Sequence, residues 1–127
     1  MHCSRRMLAQ IIRIIQVGNM KAILVKTDGT VTPVQPKNGT QFSLEEMYSL
    51  IGCGTVEHIE LAKGVHMWID ENGKLTGEAF NKLATDYFHK SEYFKPELYR
   101  KAGLPVDYVV GNVILEDRTK AGNYIEL

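Results

Sequence analysis

Apolar and polar positions follow two different rhythms along this chain, and each change of rhythm marks an element. Near the start, Leu8, Ile11, Ile12 and Ile15 recur at helical spacing with Arg6, Gln10 and Arg13 on the other side. That predicts a short amphipathic helix over about Arg5 to Val17. After Gly18 and Asn19 the pattern turns to the β-rich run Met20 to Lys26, whose own Met reads as an alternative start, so residues 1–19 read as a leader. Thr27-Asp28-Gly29-Thr30 then predicts a hairpin with Asp28 and Gly29 as its two-residue loop, Val25 opposite Thr32 and Ile23 opposite Val34. Pro33 and Pro36 lack N–H donors and place the second strand at an edge.

Ser43-Leu-Glu-Glu46 has the form of a capping box, and the helix it opens runs to about Ile51 before Gly52-Cys53-Gly54. Val56 to Glu71 reads as a second hairpin turning at Ala62-Lys63-Gly64. A three-residue loop with Gly64 left-handed puts Ile59, Leu61, Val65, Met67 and Ile69 on one side, with His58, Glu60, His66, Trp68 and Asp70 on the other. A helix is expected from about Ala79 to His89, a shorter one from Pro96 to Ala102, and a buried strand over Asp107 to Glu116 with Gly111 at a bulge or close contact. Asn81 is expected to be a structural cap or bridge to the preceding loop. The class is therefore α+β: a small, mostly antiparallel sheet of about five strands with helices packed on it. Its order is β-β-α-β-β-α-α-β after an amphipathic N-terminal helix, with one domain over residues 20–117 and a polar tail over 118–127. The expected sheet core includes Ile23, Leu24, Ile59, Leu61, Met67, Ile69, Val109, Val113 and Leu115.

Composition narrows the function classes. With 15 Lys plus Arg against 15 Asp plus Glu, the chain is neither a strongly basic nucleic-acid binder nor an acidic DNA mimic. The apolar run near the N-terminus is broken by Arg13 and is too short for a signal h-region or a membrane span. Cys3 and Cys53 stand far apart outside any ligand spacing, which reads as free thiols in a reducing, cytoplasmic setting.

Read together, Met20-Lys-Ala-Ile-Leu-Val-Lys-Thr-Asp-Gly, Phe42-Ser-Leu-Glu-Glu, Trp68-Ile-Asp-Glu-Asn-Gly-Lys-Leu, Asn81-Lys-Leu-Ala-Thr85 and Val110-Gly-Asn-Val resemble the domain-of-unknown-function family 3846 over about residues 20–117. The leader and the aromatic stretch near Tyr87 to Tyr99 lie outside those motifs. The resemblance implies a setting among small proteins of phages, prophages, plasmids and gut bacteria, and does not imply an activity.

No catalytic constellation is visible. Cys53 between glycines matches neither a P-loop nor a nucleophile elbow, and the helix end already accounts for those glycines. His58, His66, Glu60 and Asp70 fit no metal signature, so no metal and no cofactor is expected. The stretch from Tyr87 to Lys101 interleaves rings and cations, and Tyr87, Lys90, Tyr93, Lys95, Tyr99 and Arg100 are the expected binding residues. The face carrying His58, His66 and Trp68 is a second candidate. The expectation is a non-enzymatic accessory protein of a mobile element that binds a host protein or small molecule in the bacterial cytoplasm. The alternative is a nucleic-acid-associated module using Tyr87 to Lys101. The leader stripe is expected to dock either on its own domain, with the His58, His66 and Trp68 face one candidate, or on a second copy, which would make a homodimer.

Overall fold

Ala22 to Val25 and Val113 to Leu115 are continuous apolar runs, the pattern of strands covered on both faces, and the strands that hold them, Lys21–Val25 and Val113–Asp117, are buried along their whole length. The computed structural model describes residues 21–119, so the leader helix and the docking of its stripe lie outside the described residues. Among those residues the order is β1 (Lys21–Val25), β2 (Val31–Pro33), α1 (Leu44–Ile51), β3 (Val56–Ala62), β4 (Val65–Asp70), α2 (Lys82–His89), α3 (Pro96–Ala102) and β5 (Val113–Asp117). The strands form one antiparallel sheet in the order β2-β1-β5-β4-β3. The fold is the α+β class that the pattern predicts.

The first hairpin takes a different register from the expected one. Val25 pairs with Val31 and Ile23 with Pro33. Gly29 N–H donates to Lys26 O and Lys26 N–H donates to Thr30 O, and Gly29 is left-handed while Asp28 is not. The loop is therefore three residues, 27–29, and Gly29 alone supplies the positive φ. The second hairpin keeps the expected register: Ile59 faces Met67, Ala62 faces Val65, and Gly64 has φ +82°.

The sheet has a core on each face. Ile23, Val25, Leu61, Met67, Val113 and Leu115 pack with Val109 and with Ala84 and Tyr87 of α2. Seven of the nine expected core residues are buried, and Ile59 and Ile69 pack against that cluster half-buried. On the other face Ala22, Leu24 and Ile114 pack with Phe42 and with Met47 and Ile51 of α1. α1 and α2 thus clasp opposite faces of the sheet.

Local chemistry sets each helix end. Ser43 Oγ accepts from Glu46 N–H at 3.1 Å while Glu46 Oε1 accepts from Ser43 N–H at 2.9 Å, and Gly52 closes α1 at φ +83°. The expected helix from Ala79 begins instead at Lys82, because Asn81 is its N-cap, with Oδ1 accepting from Ala84 N–H at 3.0 Å. The expected long last strand is divided by Gly111 at φ +77°: Val110 bridges to Phe80 and β5 proper starts at Val113. Arg118, expected in a tail, is bound into the fold by its N–H donating to Gly64 O at 2.7 Å.

Candidate functional site

β4 carries His66 and Trp68 on the same face because alternate residues of a strand share a side. His58 of β3 lies directly across from Trp68, and Glu116 of β5 lies directly across from His66. The antiparallel order β5-β4-β3 therefore gathers an indole, two imidazoles and a carboxylate on the α1 side of the sheet. The rings are in contact. His58 Nε2 and His66 Nδ1 are 2.6 Å apart, and the His58 ring centroid is 4.7 Å from both the His66 and the Trp68 ring.

Trp68 Nε1–H donates to Glu116 Oε1 at 2.6 Å, and an Arg118 guanidinium N–H donates to Glu116 Oε2 at 3.2 Å. The buried Glu116 carboxylate is thus matched by an indole donor and a cation, the condition under which such a charge is tolerated away from water. The same Arg118 nitrogen donates to Thr40 O at 3.0 Å, tying the loop before α1 to the sheet. Together with Gln41, Phe42 and Met47 these residues line an open cleft of about 320 Å³.

Electrostatics in the cleft favours an uncharged His66. Burial, and then the neighbouring His58, push its pKa below the ordinary imidazole value, opposed by Glu116 and Glu60. The 2.6 Å contact makes one of the two imidazoles the donor and the other the acceptor, the roles being set by the tautomer. Among the described residues no group of three or more His, Cys, Asp or Glu side chains could hold a metal ion.

The aromatic and basic stretch is arranged differently from the expectation. Tyr87 is buried in the α2 core and presents no binding surface, a correction that follows from the helical stripe it shares with Ala84. His89 stacks on Phe94 at 4.7 Å, Phe94 meets Phe88 edge-on at 5.0 Å and Tyr99 at 5.8 Å, so these rings pack among themselves. Lys90, Tyr93, Lys95 and Arg100 stand exposed, and Tyr99 is half-buried. His58, His66 and Trp68 are brought together. Glu116 and Arg118 complete their cleft and escaped sequence reading, since only the pairing of β5 with β4 places them there.

Cys53 is half-buried after the Gly52 cap, and burial followed by the charge of Asp70 pushes its thiol up, away from the reactive thiolate.

Comparison with curated proteins and with solved structures finds no match to either. A family match runs over residues 20–127, ten residues beyond the segment that carries the motifs and including the aromatic stretch. The chain belongs to the family described as Domain of unknown function (DUF3846).

Proposed function

We propose that this chain is a non-enzymatic accessory protein of a phage, prophage or other mobile element that holds a small molecule of the bacterial cytoplasm in the cleft of His58, His66, Trp68, Glu116 and Arg118. One observation carries the reading. Polar groups from β3, β4, β5 and the residue after β5 converge in one concavity with an aromatic wall, at a volume of about 320 Å³, within the size range of small-ligand sites. An apolar lining from Phe42 and Met47 with a few fixed donors suits a compact polar ligand that bears a flat or aromatic group. The described residues include no helix long and apolar enough to cross a membrane.

Native mass spectrometry of the protein purified from bacterial cytosol tests this. A retained small-molecule mass in the natural chain that is lost in the folded pair His58→Gln, Arg118→Gln supports the cleft. Retention unchanged by that pair removes it.

A second reading rests on the other candidate surface. Lys90, Tyr93 and Lys95 between α2 and α3, and Arg100 of α3, remain exposed, and a host protein or single-stranded nucleic acid could engage them. Binding of labelled single-stranded RNA or DNA that weakens steeply with salt selects that reading.

A further inference from the structure

β3 ends the sheet, with β4 on one side of it and, among the described residues, no strand on the other. Its pairing decides which backbone groups face the open side. Glu71 N–H donates to Thr55 O at 3.3 Å, and in an antiparallel ladder bonded and non-bonded pairs alternate. Thr55, Glu57 and Ile59 therefore turn their N–H and C=O groups toward β4, and Val56, His58 and Glu60 turn theirs outward. No hydrogen bond among the described residues uses those outward groups. The ladder shifts between Glu60 and Ala62, and past that point Leu61 O accepts from Tyr93 N–H at 3.0 Å, so the open stretch is Val56 to Glu60. The other end of the sheet offers nothing comparable. β2 is three residues long and ends in Pro33, which has no N–H to give.

The side chains along that stretch select a partner by charge. Glu57 and Glu60 are exposed, Glu60 on the His58 face and Glu57 on the other, and β3 carries no Lys or Arg. On the Glu57 face, Ile59 and Ile69 line a groove of about 110 Å³ whose rim is acidic with Asp70, Glu71 and Asp107, and whose Lys74 is already held by Asp107. A second copy would set one acidic edge against another, whereas an extended segment with Lys or Arg is complementary. We propose that Val56 to Glu60 is a docking edge for an extended, basic and apolar segment of another protein, which adds to the sheet as an antiparallel sixth strand. Main-chain bonds to Val56, His58 and Glu60 hold the segment. Facing Glu60, Ile59, His58, Glu57 and Val56 in turn, it carries a cation, an apolar residue, a small polar residue, a cation and an apolar residue. The edge uses the backbone of His58 and not its ring, so it is separate from the cleft.

The probe is a synthetic peptide, Thr-Lys-Val-Thr-Lys-Val-Thr, blocked at both ends and titrated into the full chain while amide hydrogen exchange is followed. Its second to sixth residues match Glu60 to Val56 in that order. Saturable slowing of exchange at the N–H of Val56, His58 and Glu60 is expected. Backbone N-methylation of the peptide decides the mode of binding without altering the protein. Methyl groups on its fourth and sixth residues, whose N–H groups face β3, are expected to weaken binding at least about tenfold, whereas methyl groups on the third and fifth, which face away, change it by less than about twofold. Glu57→Gln, Glu60→Gln is expected to weaken binding of the unmethylated peptide at least about threefold and to flatten its salt dependence. Equal affinity for the two methylated peptides, no slowing at the three amides, or slowing that appears without peptide and grows with protein concentration overturns the proposal.

Discussion

The Asn81 side-chain nitrogen donates to Gly111 O at 2.8 Å and to Val25 O at 3.1 Å, from a residue only 1% exposed. With its Oδ1 capping α2 and its N–H bonding Val109 O, Asn81 ties the end of β1, the start of β5 and the entrance of α2 at one point. Asn81→Ala removes a side-chain donor from two buried carbonyls and the cap from a helix N–H, at an expected destabilisation of about 2–4 kcal/mol. Asn81→Asp keeps the cap but cannot donate, so it is expected to recover part of that loss at most. Urea unfolding of both variants checks this, and a natural midpoint for Asn81→Ala would remove the pin.

Gly111 meets Asn81 only because its backbone is left-handed. Its N–H also donates to Ala79 O at 2.8 Å, so the loop before α2 and the lead-in to β5 are bonded through this residue. Gly111→Ala is expected to lower stability by about 1–2 kcal/mol through the positive φ alone. A Cβ there would touch the Glu78 side chain only at ordinary contact distance, so steric cost adds little. Thermal unfolding decides it: an unchanged midpoint contradicts the strain.

The two cores make separable contributions. Met67 and Ile114 are both fully buried, one on the α2 face and one on the α1 face. Met67→Ala and Ile114→Ala are each expected to cost about 2–5 kcal/mol. Loss of stability from only one of them would mean that one face is not packed as described.

His66 makes stability depend on pH. Unfolded, it gains its proton near the ordinary imidazole value of 6.5; folded, burial and His58 hold that step lower. Between the two the unfolded chain binds more protons, so stability from this residue is present above about pH 6.5 and falls as pH drops through the folded pKa. His66→Gln is expected to flatten the urea midpoint between pH 7.5 and 5. Because Trp68 is the sole tryptophan and touches His58, its fluorescence should report the same transition. A natural pH slope in His66→Gln contradicts the assignment.

Much of the fold is legible in local chemistry. The capping box, the Gly64 turn and the alternation in β3 and β4 place α1 and the second hairpin because each signal has one geometric solution. Asp28-Gly29 has two, a two-residue loop and a three-residue loop with Gly29 alone left-handed, and the register followed the latter. The second core was present as a signal in the apolar runs Ala22 to Val25 and Val113 to Leu115, which alternation-based reading assigns to one face. The inward turn of Tyr87 was likewise readable from its spacing to Ala84. The cleft was half legible. His58, His66 and Trp68 share a face by parity within one hairpin, whereas Glu116 and Arg118 join them through strand pairing across some fifty residues.

Differential hydrogen exchange, with and without the low-mass fraction of bacterial cytosol, tests the binding cleft most directly. The expected result is slowed exchange in the loop at 40–43 and in 56–70 and 113–118, the segments that line the cleft, and no such slowing in His58→Gln, Arg118→Gln. Slowing confined to 90–101, or none anywhere, would contradict the account.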